Sequence, residues 1–378
     1  MKLMHLSDLH LGKRVNGFSM LEDQTYILGQ ILELVDREQP QGVLLAGDLF
    51  DKAAPSAEAV QLLDDFLAGL SGLGCAVFAI SGNHDSPERV AYGGRLLRHS
   101  RVYMSPVYSG SISPITLEDA LGPVDIYLLP FLKPAYLRSV MPDTELRSCQ
   151  EAVASALEGL PADPARRNVL VAHQFVTGAQ VLEQEELLVG GSDGVDAALF
   201  EGFDYVALGH LHGPQSLGRE TLRYCGTPLK YSFAEASHHK SVTLVELGEK
   251  GQVTLKLLPL TPLHDLREIR GTYDQVMDKH AYTQQNRLDY LHITLTDEED
   301  VPDAIGRLRT VYPNLMKLDY DNRRTREAGE LLPEDTLEHQ SPLELFGDFY
   351  RMQNNKELDD AQLAYLTQLT REIWEEEV

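Results

Sequence analysis

Five short polar clusters occur in order along the chain: Asp8-Leu9-His10, Gly47-Asp48-Leu49-Phe50-Asp51, Gly82-Asn83-His84-Asp85, His173 alone, and Gly209-His210-Leu211-His212. Each directly follows an apolar, largely β-forming run. The end of an inward-facing strand is where a fold gathers ligands that must converge. Together the clusters offer Asp, Asn and His side chains and no sulfur. That is an oxygen and nitrogen donor set suited to divalent metals, and it is large enough for two of them.

Taken singly, each cluster has a plainer alternative. Asp8 and His10 stand two apart, so in extended chain both point the same way and can reach one ion; a capped loop reads as well. Asp48 follows the very apolar Val43-Leu44-Leu45-Ala46, and its two carboxylate oxygens suit a bridge between two cations. A turn cap is its plainer reading, and Asp51 reads as a cap or as support for the ligands. Gly82-Asn83-His84-Asp85 is the most specific cluster. Its glycine permits a sharp turn, and Asn83 offers a neutral carbonyl oxygen. His84 is expected beside the metals, with Asp85 orienting its ring. His173 alone reads as structural, whereas His210 and His212, again two apart, suit a metal. Five such coincidences in order on one scaffold favour the two-metal reading. His99, His238, His239 and His264 lack such settings and are read as non-ligands.

The elements that must position these clusters alternate. Strands are expected at 2–6, 42–46, 76–80, 124–129, 168–172, 205–208 and 241–247, with helices at 19–38, 56–73 and 151–160. The first helix places Ile27, Leu28, Ile31, Leu32 and Val35 on one face, and the second places Val60, Leu63 and Leu67 in phase. Buried strands separated by helices indicate a layered α/β core. Residues 259–266 look like a boundary. Beyond them a small α+β pattern follows, with strands at 291–295 and 315–320, a helix at 301–312, and a polar stretch from 323. Two C-terminal helices close the chain. The first opens Ser341-Pro342-Leu343-Glu344, an N-cap Ser, a Pro at N1 and a Glu at N3. Its apolar face is Leu345, Phe346, Phe349 and Tyr350. The second carries Leu363, Leu366, Leu369 and Ile373, with Trp374 beside them.

Composition narrows the class. The 378 residues and 43% hydrophobic content allow two or three packed domains. No apolar stretch approaches the roughly 20 residues of a membrane span, and no signal-peptide core precedes Asp8. Three separated cysteines (Cys75, Cys149, Cys225) read as reduced, buried thiols of a cytoplasmic protein. A net charge of −25 argues against a generally basic, DNA-coating protein. It leaves room for a nucleic-acid enzyme whose cations neutralise part of that charge and whose partner supplies some of the phosphate grip.

The series DxH, GDxxD, GNHD, H and GHxH resembles the calcineurin-like metallophosphoesterase superfamily, with every motif present. MKLMHLSDLHLG (1–12), SGNHDSPER (81–89), YCGTPLKYSF (224–233) and SPLELF (341–346) are similar to its nuclease branch, whose members work in a complex with a coiled-coil ATPase. The resemblance covers most of the chain. It implies an αββα sandwich, two packed mixed sheets flanked by helices, with a small α+β capping domain and C-terminal helices. The domains would be a nuclease domain at 1–265, a cap at 266–325, a linker at 326–340, and helices at 341–378 that dock on the ATPase.

Carried over by motif, the resemblance assigns one metal to Asp8, His10, Asp48 and His212. It assigns the other to Asp48, Asn83, His173 and His210, with Asp48 bridging. Manganese is the metal it favours, with magnesium as the substitute. His84, backed by Asp85, would contact the phosphate and stabilise or protonate the leaving 3′ oxygen. Lys13, Arg14, Arg89 and Arg95 lie near the motifs and read either as DNA contacts or as ordinary surface charge. Cys225 stands where related sequences commonly have Pro, a loop difference away from the ligands.

The function this implies is an ATP-dependent double-strand exonuclease and single-strand or hairpin endonuclease in DNA repair, replication and recombination. It would work as a homodimer within a heterotetramer, cytoplasmic and associated with the nucleoid. The alternative is a metallophosphoesterase acting on small-molecule phosphodiesters or phosphoproteins, which the net charge mildly favours. A scaffold with a vestigial site is a third reading, and the intact ligand set disfavours it.

Overall fold

The computed structural model describes residues 1–138, 140, 148–181, 194–299 and 301–323, and beyond them 325, 343, 346, 347, 350 and 358–374. They divide into two compact units, 1–266 and 267–378.

The first unit is built on two six-stranded sheets. One runs edge to edge through Val253–Pro259, Ser241–Leu247, Lys2–Leu6, Gly42–Ala46, Ala76–Ile80 and Val102–Met104. The other runs through Gln215–Leu217, Arg219–Tyr224, Tyr205–Gly209, Arg167–His173, Gly122–Leu129 and Ile115–Asp119. In each sheet the central strands pair parallel and the outer hairpins antiparallel. The period of two decides which residue goes where. Val124, Ile126 and Leu128 face Leu44, Phe78 and Ile80 of the opposite sheet, forming the layer between the sheets. Tyr127 and Leu129 point the other way, to a second core with Ala152, Val153 and Ala156 of the helix Cys149–Glu158. This is the expected αββα sandwich. Phe78 is fully buried and stacks on Tyr103 at 5.2 Å, so truncating it to Ala costs about 3–5 kcal/mol.

The helices Leu21–Glu38 and Ala57–Gly72 pack on each other. The first buries Ile27, Leu28, Ile31, Leu34 and Val35, with Leu34 rather than Leu32 on the fully covered face. In the second the phase differs from the expected one. Ala59, Leu63, Phe66 and Leu70 are buried, and Val60 is 48% exposed. Ser56 caps that helix by accepting from the Ala59 N–H.

The second unit holds a three-stranded sheet, in the order Leu266–Gly271, Tyr290–Leu295, Leu315–Tyr320. Its core is Leu291, Ile293, Leu295, Ala304, Leu308, Tyr312 and Leu315. The helix expected at 301–312 is shorter, Ala304–Arg309, because Asp303 turns left-handed at its start (φ 50°). A C-terminal helix spans Asp360–Trp374. Of the expected helix beginning at Ser341, Leu343, Phe346, Gly347 and Tyr350 are among the described residues, whereas Leu345, Phe349, the linker at 326–340 and the side chains of Ile373 and Trp374 lie outside them. No described helix is long and apolar enough to cross a membrane.

Candidate metal centre

The strands that end at Leu6, Ala46, Ile80, His173 and Gly209 deliver the five clusters to one end of the sandwich. The two sheets meet tightly there. A Cβ on Gly82 would fall 2.1 Å from Asp48 Oδ1, and one on Gly209 would fall 1.9 Å from the Ala46 carbonyl. Only glycine fits at either position. The backbone is also held in unusual conformations. Asp8 (φ 53°), His10 (φ 45°), Asp48 (φ 50°) and His210 (φ 112°) all have positive φ. Such conformations cost about 1–3 kcal/mol each and gather at functional sites.

The seven expected ligands converge. Asp48 Oδ2 lies 3.8 Å from His10 Nε2 and 3.5 Å from His173 Nε2, so one carboxylate faces both sides of the cluster. His173 Nε2 and His210 Nδ1 each lie 2.9 Å from Asn83 Oδ1. His212 Nε2 lies 3.2 Å from His10 Nε2. Asp8 accepts the His210 N–H and sits with Asp48 and His173 in a group whose ligand atoms lie within 4.8 Å of one another. Asp8, His10, Asp48 and His173 are buried, whereas Asn83 is exposed and His84 half-buried, so the cluster opens to solvent on their side.

The donor chemistry fits a cation. His173 donates Nδ1–H to the Ala46 carbonyl at 2.8 Å, which leaves a lone pair on Nε2. In the neutral ring that lone pair faces the Asn83 carbonyl oxygen and the Asp48 carboxylate, both of them acceptors, so the position between them takes a proton or a cation. His212 likewise donates Nδ1–H to Glu235 Oε1 at 3.0 Å and aims a lone pair at His10 Nε2. His10 Nδ1 is buried with no hydrogen-bond partner, and its nearest charge is Asp51 Oδ1 at 4.0 Å. Converging acceptors repel one another unless a proton or a metal sits between them.

The titration of these groups responds to the same field. Burial lowers the His173 imidazole, but the Asp48 carboxylate outweighs it and holds the group at about 9. Burial would raise Asp48, yet His173 keeps it well below the ordinary carboxylate range. Burial, aided by the Asp48 charge and opposed by His173, raises Asp8 to about 6. Burial and the nearby His173 pull His210 down to about 3, and burial pulls His10 well below its usual value.

One expected pairing is different in the structure. Asp85 does not orient His84. Its carboxylate accepts three backbone N–H groups instead, from Leu49, Phe50 and Gly82, at 2.9–3.0 Å. Asp85 therefore ties the Asp48 turn to the Asn83 turn. Successive residues on a tight turn point apart, so the His84 ring is fixed by another group, the Asp51 carbonyl, at 3.0 Å from Nδ1. His84 stands edge-on to His10, with ring centres 4.9 Å apart. Of the basic residues singled out, Lys13 is paired with Asp51 at 2.7 Å and Arg89 bonds the Ala53 carbonyl, while Arg14 and Arg95 are exposed. His264 pairs with buried Asp23, 3.1 Å away.

Four residues near the centre were not expected from the sequence. Gln24 donates to the His10 carbonyl (2.8 Å) and Tyr231 to the Leu9 carbonyl (2.6 Å), fixing the Asp8–His10 loop from outside. Glu235 and Lys240, both buried, hold His212. No periodicity or spacing marks them, and the only signal was the distinctive stretch 224–233 that contains Tyr231.

Comparison with known proteins gives the family. Residues 1–214 match the calcineurin-like phosphoesterase model, and 262–354 match the one described as the Type 5 capsule protein repressor C-terminal domain. The chain belongs to the calcineurin-like phosphoesterase family, and it is a metal-dependent phosphodiester hydrolase. Within that class it is similar to SbcD of the nuclease SbcCD from Staphylococcus epidermidis, 31% identical over 366 residues, 96% of each chain. Among solved structures it matches a dimetal phosphatase from Danio rerio at 12% identity and TM-score 0.40, covering 68% of this chain and 96% of that one. It also matches GAP50, the anchor in the inner membrane complex of Plasmodium, at 12% identity and TM-score 0.42, covering 84% and 96%.

Proposed function

We propose that this protein is a two-metal DNA nuclease that works as a subunit with an SbcC-type ATPase. One observation carries the reading. Seven Asp, Asn and His side chains converge on one end of the sandwich, in a chain that aligns over 96% of its length with a nuclease subunit. Asp8, His10, Asp48 and His212 would hold one divalent cation, and Asp48, Asn83, His173 and His210 the other, with manganese the favoured metal and magnesium its substitute. Bound there, such a pair activates water and neutralises the charge that builds on a phosphoryl group.

The chain's own residues do the rest. Asp48 turns one carboxylate oxygen to both cation positions and uses the other to accept the His84 N–H at 2.8 Å, which ties the bridge to the catalytic turn. His84, with Nδ1 committed to the Asp51 carbonyl, keeps Nε2 for the substrate. It contacts the phosphate and meets the 3′ oxygen as the P–O bond breaks. Asp85 acts by fixing that turn.

Residues 1–265 form the nuclease domain, 266–325 the cap, and 341–378 the docking segment for the ATPase. Leu363, Tyr365 and Leu369 on the C-terminal helix are 44%, 66% and 37% exposed, which supports a partner there. The assembly is a homodimer within a heterotetramer, and Tyr92 and Leu96, 85% and 77% exposed, offer apolar surface for a contact between copies. The substrates are double-stranded ends, hairpins and single strands, and the protein acts in the cytoplasm on the nucleoid. Deleting 338–378 is expected to leave simple diester hydrolysis intact and to remove ATPase binding; unchanged affinity for the ATPase refutes that assignment.

The test of function is Mn²⁺-dependent cleavage of linear and hairpin DNA, by the chain alone and with SbcC plus ATP. Metal-dependent cutting that the partner and ATP stimulate on duplex ends supports the reading. Hydrolysis of bis-p-nitrophenyl phosphate with no cutting of DNA under any condition moves the substrate to small phosphodiesters.

A further inference from the structure

The two cation positions are supported differently. His173 rests its Nδ1–H on a backbone carbonyl, that of Ala46, which is a neutral acceptor. His212 rests on a carboxylate. Glu235 Oε1 takes the His212 Nδ1–H at 3.0 Å and the Tyr231 N–H at 3.3 Å. Its other oxygen takes Lys240 Nζ at 2.5 Å and the Thr227 hydroxyl at 3.3 Å. Lys240 closes the ring by donating to the backbone carbonyl of His212 itself, at 3.0 Å, and to Thr227 Oγ1 at 2.7 Å. His212 is thus gripped at its ring and at its backbone by one buried ion pair. Glu235 is fully buried and Lys240 is 7% exposed.

A buried ion pair is weak evidence for stability, because the desolvation of both charges offsets their attraction. Its value here lies in position. The Glu235 carboxylate fixes which His212 nitrogen carries the proton, aims Nε2 at His10, and raises the basicity of that nitrogen. Lys240 cancels the added negative charge, so the centre gains direction without gaining net charge. Among the described residues, no charged side chain hydrogen-bonds His173 in the same way from behind.

We propose that Glu235, locked by Lys240, is a positioning residue that selectively strengthens the Asp8–His10–Asp48–His212 cation site and makes the two sites unequal in affinity. This rests on the two-metal reading of the centre.

The test titrates the full-length protein with Mn²⁺ alone and follows free Mn²⁺ by electron paramagnetic resonance. Either single substitution strands a buried charge, so the variants are paired. Glu235→Leu with Lys240→Met removes the grip. Glu235→Gln with Lys240→Met keeps an acceptor for His212 but no charge. The expected result is two Mn²⁺ per wild-type chain. In the Leu/Met variant one of them is weakened about 10–100-fold and the other is unchanged. The Gln/Met variant, which keeps an acceptor without the charge, should recover only part of the loss and leave the same site measurably weaker than in the wild type, and kcat in the weakened variants should return at raised Mn²⁺.

Wild-type affinity at both sites of the Leu/Met variant overturns the proposal. So does equal weakening of both sites, which marks general structural damage. Should the Leu/Met variant not fold, the Gln/Met variant decides: one site weakened supports the proposal, and two unchanged sites overturn it. Fewer than two Mn²⁺ on the wild type overturns the two-metal reading, and this one with it.

Discussion

Two regions of the molecule put a histidine among carboxylates, and only one of them is built to hold a cation. In the second unit, His292 sits between Glu268 (Nδ1, 3.0 Å) and Asp319 (Nε2, 2.8 Å), one residue from each strand of the small sheet. The carboxylates occupy opposite edges of the ring, and Asp319 also pairs with Lys317 at 2.7 Å. Glu268 and Asp319 side chains are 55% and 43% exposed. In the first unit, Asp48, His10 and His173 side chains are at most 3% exposed, and their lone pairs point at one another. Residue type is the same in both regions. The difference is convergence. A splayed cluster satisfies itself with hydrogen bonds, whereas an inward-pointing one leaves acceptors opposed and needs a positive charge among them.

The contrast can be broken most decisively at Asp48. Asp48→Asn is expected to lower kcat for bis-p-nitrophenyl phosphate by more than about 1,000-fold, beyond the range for losing a single transition-state donor, while Asp319→Asn leaves it unchanged. His84→Gln should cost about 100-fold or more and leave the number of bound Mn²⁺ as in the wild type, since His84 is assigned to substrate rather than metal. A matching loss of Mn²⁺ would make it a ligand instead.

Proton competition sharpens the comparison further. Without metal, His173 titrates near 9 against an ordinary 6.5. The stability its protonation contributes is therefore full below about 6.5 and is lost as pH rises through 9. The metal-free protein should lose thermal stability across that window. A cation must displace the same proton, so Mn²⁺ affinity should rise by up to about tenfold per pH unit there, with proton release measurable in weakly buffered solution. A pH-independent affinity would contradict the assignment of His173. The smallest effect is expected at His292: His292→Asn should change stability by no more than about 1 kcal/mol in a denaturant melt, as for other partly exposed ion pairs, and alter neither rate nor metal count.

How much of this was legible in the sequence follows from how local each feature is. Asp8, His10, Asp48, Asn83, His173, His210 and His212 could be singled out because each ends an apolar strand, and strands register with sequence at a period of two. The layered fold was readable for the same reason. The backing of His84 was not: Asp85 is its neighbour in sequence, but a tight turn sends adjacent side chains apart, and the Asp51 carbonyl takes the role. Glu235 and Lys240 lie 23 and 28 residues from His212 and meet it only through the tertiary fold. The edge strand Val253–Pro259 and the next-to-edge strand Arg219–Tyr224 mix exposed and buried positions and were missed. Val60 is a case of phase: Ala59 is small enough to be overlooked as a core residue, yet it is fully buried where Val60 is not.

The central claim is that Asp48 stands between two cations. Anomalous diffraction at the manganese edge, from crystals grown with Mn²⁺, tests it most directly. The account predicts two peaks about 3.5–4 Å apart, one beside His10 and His212 and the other beside Asn83, His173 and His210, with the Asp48 carboxylate between them. A single peak, or two that do not share Asp48, would contradict it.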